Sequence, residues 1–157
     1  MTKQLDTSRP CIDVSGGLHC KITDIYDIHD YDQNPETFRN RYDKLMAENT
    51  LENWVCNHMP YKGEAVFVSE YGGIRWAENE NAGWGYGEAP QTKEEFIKRY
   101  QGLTDALLDN DCLIGFCYTQ LYDVEQEVNG LYTYDRKAKF DNAVIKQINE
   151  RRAKSES

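Results

Sequence analysis

Short apolar runs separated by longer segments of helical period constrain this chain most, because that alternation belongs to βα units and not to a sandwich or a bundle. About three and a half such units fit along the sequence. Cys11-Ile12-Asp13-Val14 reads as a strand closed by Ser15-Gly16-Gly17. Ile22, Tyr26 and Ile28 recur in period two and predict a second strand over 22–28, with Ile25 out of step. Asn34-Pro35 opens a helix as N-cap and first helical residue, and Phe38, Tyr42, Leu45 and Met46 carry it to about Asn49. Ala65-Val66-Phe67-Val68 is a continuous apolar strand, as parallel strands covered on both faces tend to be, and Gly72-Gly73 ends it.

Residues 74–91 are too rich in Gly, Trp and Asn for a regular element, and a loop of that length in a compact domain is commonly functional. Thr92 and Glu95 have the spacing of a capping box, and Phe96, Tyr100, Leu103 and Leu107 mark a helix to about Asp109. Residues 112–118 form the next buried strand, and a last helix begins near Phe140, before a charged tail at 151–157 expected to fray. A complete (β/α)₈ barrel takes about 250 residues, so 157 residues supply about half of one. The expectation from pattern and length is a single α/β unit over 1–157, about half of such a barrel.

Composition narrows the function. The net charge of −9 and the lack of any Lys/Arg cluster argue against a nucleic-acid partner. No apolar stretch approaches the roughly 20 residues of a membrane span, and Met1-Thr2-Lys3-Gln4-Leu5 has no signal-peptide apolar region. The chain as given therefore reads as cytoplasmic, while the compartment of any longer parent is unreadable. Five cysteines with no C-x-x-C pair indicate neither a disulfide framework nor a zinc site, and Cys11, Cys112 and Cys117 read as small buried hydrophobes.

In parallel βα architectures the working residues collect at the carboxyl ends of strands. Three such ends carry unusual polar groups: His29-Asp30-Tyr31, Ser69-Glu70-Tyr71 and Tyr118-Thr119-Gln120. A carboxylate directly after Val-Phe-Val is costly to bury unless paired. It suits glycosidic cleavage, where a carboxylate nucleophile faces a carboxylic acid about 5 to 5.5 Å away in retaining enzymes. It equally suits a strand-end Glu salt-bridged to a helix, and pattern alone leaves both open. His29 with Asp27, Asp30 and Asp32 fits either a metal site or a histidine oriented by an acid. Trp76, Trp84 and Tyr86 fit either loop packing or a wall on which a sugar ring stacks.

At these residues the sequence resembles the barrel domain of glycoside hydrolase family 2, the family of β-galactosidases and β-glucuronidases. FVSEYGGI (67–74) resembles the segment that ends the seventh barrel strand, DIHDYDQ (27–33) the end of the sixth, and RPCIDVSG (9–16) the fifth. GFCYTQLYDVEQEVNGLYTYDR (115–136) is similar to the eighth strand and its loop, and GWGYGEAP (83–90) and RYQGLTDALLDN (99–110) belong to the same pattern. The resemblance implies that the chain is the C-terminal part of the barrel, about strands five to eight. It implies that Glu70 is the nucleophile of a retaining enzyme, that Tyr31 supports it, and that His29, Trp84, Tyr118 and Gln120 bind or support substrate. Many relatives carry Trp where Tyr118 stands. It implies a carbohydrate substrate and, as partner, the missing N-terminal half of the barrel; no cofactor or metal is expected, and the open strand edges of a half-barrel would also let a second copy pair with it.

The family's general acid/base is the Glu of an Asn-Glu pair after the fourth strand, which would lie before residue 1. The pairs present, Asn79-Glu80 and Asn149-Glu150, fall in the loop and the last helix. The isolated chain is accordingly expected to be inactive. A non-catalytic carbohydrate-binding or assembly half-barrel is the alternative.

Overall fold

A computed structural model describes residues 1–51, 60–77 and 83–157. Three strands, β1 (Ile25–Asp30), β2 (Ala65–Gly72) and β3 (Leu113–Thr119), form a parallel sheet in sequence order. A turn of helix, α1 (Thr2–Leu5), precedes them. α2 (Pro35–Glu48) links β1 to β2, α3 (Lys93–Leu108) links β2 to β3, and α4 (Asn142–Asn149) comes after β3. No helix of the described residues is long and apolar enough to cross a membrane.

The helices form where local chemistry predicts them. Asn34 caps α2 by accepting from the Glu36 and Thr37 N–H groups at 2.9 and 3.3 Å, Pro35 opens it, and Asn49 closes it in the left-handed conformation at φ 49°. Thr92 caps α3 by accepting from Glu95 N–H, while the Glu95 carboxylate accepts from Gln91 N–H, one residue before the position a capping box uses. Phe38, Tyr42 and Leu45 of α2 and Phe96, Tyr100, Leu103 and Leu107 of α3 are buried against Ile28, Val66, Val68 and Tyr71 of the sheet. One face of the sheet and its two crossover helices thus make the core.

The first predicted strand does not form: 11–14 is irregular, and the Asp24 side chain accepts from Cys11 N–H at 2.7 Å where a ladder partner would stand. β1 begins at Ile25, three residues after the predicted start, and Ile22 is exposed. The segment between the irregular run and β1 occupies the outer edge of that strand, where His19 Nε2 lies 2.9 Å from the Asp27 carbonyl and Thr23 Oγ1 donates to the Ile25 carbonyl at 2.7 Å. Cys117 is exposed instead of buried, because it lies on the sheet side that no helix of the described residues covers, and Cys11 and Cys112 are half-buried. Cys56 lies outside the described residues.

Loops 74–77, 83–91 and 120–139 interlock above the carboxyl ends of β2 and β3. Trp84 N–H donates to the Gln126 carbonyl at 2.7 Å, Val128 N–H to the Trp84 carbonyl at 2.8 Å, and Trp76 N–H to the Val128 carbonyl at 2.9 Å. The buried Lys139 ammonium ties this layer together, donating to Asp123 at 2.6 Å and to the Trp76 carbonyl at 2.8 Å.

Candidate active site

Pleat parity decides which strand-end residues meet. Asp30, Tyr71 and Tyr118 stand in register across the sheet, and all three face the helices. Asp30 lies within reach of the Tyr42 hydroxyl and Arg41 of α2, Tyr71 bonds Thr104 of α3, and the Tyr118 ring packs on Tyr100 at 4.9 Å. Side chains alternate along a strand, so His29 and Glu70, paired across β1 and β2, point the other way. A register shift between Ile28 and His29 brings Glu70 opposite His29.

The Tyr31 phenol donates to Glu70 Oε2, and His29 Nδ1 stands 3.5 Å from the same oxygen. No partner is paired with Oε1 among the described residues, and the Glu70 side chain is 38% exposed. Among those residues no Lys or Arg comes within 4 Å of Glu70, so its neighbour is an imidazole and not a helix salt bridge. Burial, together with the bond to Glu70, raises the Tyr31 hydroxyl well above the ordinary phenol value, so at neutral pH it is a donor.

Tyr31 is held from behind. Its ring stacks on Tyr86 at 3.5 Å and 6°, and Tyr86 N–H donates to the Gly73 carbonyl at 2.9 Å. Gly73 has φ +59°, and a Cβ there would sit 2.4 Å from Tyr86 and 3.1 Å from Tyr31. Trp84 meets Tyr86 edge-on at 5.9 Å and is 49% exposed, which leaves much of its surface to solvent. Trp76 is instead a packing residue, set beside the stacked Phe96 and Phe140 rings at 6.3 and 5.9 Å.

The remaining strand-end residues divide. Tyr118 is not brought to Glu70: it faces the helices, and its hydroxyl lies 3.3 Å from Ile74 N–H and 3.3 Å from the Asn129 carbonyl. Gln120 Nε2 is buried with no hydrogen-bond partner among the described residues. Asp30 and Asp32 point away from His29, toward Arg41 and Thr37, while Asp27 accepts from the N–H of Gly16, which packs beside the His29 ring. Among the described residues no three His, Cys, Asp or Glu side chains converge as a metal site would require. Asn149 of the second Asn-Glu pair accepts from Tyr100 at 2.8 Å in the helical layer, and Asn79-Glu80 lies outside the described residues. A groove of about 750 Å³ between α2 and α3 is lined by none of Glu70, His29 and Tyr31.

No protein-family model matches the chain, and no curated protein does. Among solved structures it resembles β-D-glucuronidase from Dictyoglomus thermophilum at 18% identity and a TM-score of 0.57, over 96% of this chain and 27% of that one. Similar matches are β-glucuronidase from Faecalibacterium prausnitzii (18%, TM-score 0.53, 83% and 22%) and from Bacteroides uniformis (19%, TM-score 0.51, 76% and 14%). The chain thus spans about a quarter or less of the proteins it resembles. At these identities the likeness is one of fold: a mixed α/β unit on a small parallel sheet, of the kind that forms part of a glycosidase barrel.

Proposed function

We propose that this chain is the C-terminal portion of the catalytic barrel of a retaining β-glycosidase, of the β-galactosidase and β-glucuronidase kind, with Glu70 as nucleophile. The environment of Glu70 carries the reading. A part-exposed carboxylate at the carboxyl end of a parallel strand accepts from a phenol on Oε2 and has no partner on Oε1 among the described residues. Oε1 attacks the anomeric carbon as the glycosidic C–O bond breaks, and the leaving oxygen takes its proton from a carboxylic acid. Water then attacks the same carbon, displaces Glu70 and gives its proton to that acid's conjugate base. The Tyr31 hydrogen bond steadies Glu70 while it is the nucleophile and again when it departs as a carboxylate.

The acid is assigned to a part of the barrel outside this sequence, and Trp84 and Gln120 to the surroundings of the sugar. A chain lacking the acid forgoes assistance of about 10²- to 10⁴-fold. The test assays nitrophenyl β-glycosides with this chain alone and with a longer protein that carries the rest of the barrel. The longer protein is expected to turn over, to lose activity in Glu70→Gly, and to regain it with azide, which forms a glycosyl azide of inverted anomeric configuration. Robust turnover by this chain, unchanged in Glu70→Gln, overturns the assignment.

A further inference from the structure

We infer that Ser15 is a positioning residue, which holds the His29 imidazole with its Nδ1–H directed at Glu70. Ser15 Oγ lies 3.0 Å from His29 Nε2, and His29 Nδ1 lies 3.5 Å from Glu70 Oε2. If Nε2 carried the proton of a neutral ring, the Nδ1 lone pair would face a carboxylate, which is repulsive. With Ser15 donating to Nε2, Nδ1 carries the proton and the contact is attractive. The carboxylate favours Nδ1–H, and the Ser15 hydroxyl, by donating to the Nε2 lone pair, stabilises that tautomer and holds the ring to it.

The ring is also fixed in place. Gly16 lies against it, where a Cβ would come within 2.6 Å of Nδ1, and Gly16 takes φ +87° to do so. Gly16 N–H donates to the Asp27 carboxylate at 2.8 Å, which locks the residue after Ser15 to β1. On the other side, Asp13 is locked by His19, whose Nδ1 lies 2.9 Å from its carboxylate and whose Nε2 reaches the Asp27 carbonyl. Burial raises the Asp13 carboxyl, but hydrogen bonds from His19, Cys20 N–H and Thr23 outweigh that and hold it down at about 2. Ser15 thus stands between two anchors on β1.

Ser15, His29 and Glu70 also follow the order of a serine-nucleophile triad. The backbone donor nearest Ser15 on its C-terminal side, Gly16 N–H, is already bonded to Asp27, which disfavours an oxyanion site there.

The tautomer can be read on this chain by long-range ¹H–¹⁵N spectra of its three histidines, at a pH about two units above the ordinary histidine value of about 6.5. His29→Gln assigns the signals. The expected result is a protonated Nδ1 and an unprotonated Nε2 for His29, lost in Ser15→Ala and kept in Ser15→Thr. A protonated Nε2 in the wild type overturns the inference, and so does an unchanged pattern in a folded Ser15→Ala. Should Ser15→Ala not fold, the wild-type and Ser15→Thr spectra decide.

The consequence for turnover rests on Glu70 being the nucleophile. In the longer protein Ser15→Ala is expected to lower kcat about 10-fold, as loss of an orienting group does, with KM nearly unchanged. Full activity in Glu70→Gln with the tautomer confirmed removes the glycosidase reading and leaves the positioning of His29 standing. A Ser15-dependent burst of nitrophenol from nitrophenyl acetate makes Ser15 a nucleophile and overturns its positioning role.

Discussion

The Tyr31 to Glu70 hydrogen bond is the single contact that most separates this carboxylate from an ordinary strand-end Glu. A bond to a charged group contributes about 1.5 to 3 kcal/mol, and each 1.36 kcal/mol or so is tenfold in rate. Tyr31→Phe keeps the Tyr86 stack and removes only the hydroxyl. In the barrel-complete protein it is expected to lower kcat/KM by on the order of 10- to 100-fold while thermal stability holds; steady-state kinetics beside a melting curve checks this, and an unchanged kcat/KM removes Tyr31 from the site. Glu70, His29 and Tyr31 are legible in the sequence because polar groups at the ends of apolar strands are conspicuous. Ser15 is not, because its meeting with His29 depends on a glycine turn whose path no periodicity encodes. Tyr118 shares only a strand-end position with the site. The sheet's register shifts set the parity that turns it toward the helices, and those shifts have no sequence signature.

Among the elements, α2 and α3 are readable nearly to the residue because caps and apolar spacing agree over several turns. The 11–14 run shows the opposite case: four apolar-rich residues make a strand only if a neighbour offers a ladder, and here side chains of Asp13, Asp24 and His19 take up backbone groups instead. The loop layer is legible only as loop, yet it is held by a buried ion pair. Asp123 and Lys139 have side chains 10% and 3% exposed, and the ammonium also reaches the Trp76 and Val128 carbonyls. Lys139→Met leaves the Asp123 carboxylate buried without its cation, which costs about 3 to 5 kcal/mol. Denaturant unfolding is expected to show a loss of that size, and the double variant Lys139→Met with Asp123→Leu to recover part of it. A loss below about 1 kcal/mol, the scale of a surface pair, assigns Lys139 a surface role.

At the scale of the whole molecule the sheet of the described residues is three strands wide and open at both edges. Parallel sheets are ordinarily covered on both faces, and here helices cover one. Among the described residues β1 and β3 each have a sheet partner on one side only, Cys117 is exposed, and Ile114 on β3 is 59% exposed. Open strand edges invite pairing. We propose as partner the complementary part of a barrel, or failing that a second copy of this chain, since either would supply parallel strands and an apolar face at once. An assembly role without catalysis would use the same edges, so association alone does not separate it from the glycosidase reading, whereas calorimetry with galactosides and glucuronides does: a carbohydrate-binding half-barrel holds sugar without its complement. Sedimentation velocity of the chain alone is expected to show concentration-dependent self-association, reduced in Ile114→Lys by placing a charge on the β3 edge and suppressed when the complementary barrel segment is added. A monomer at every accessible concentration, unaffected by that segment, excludes the edges as an interface.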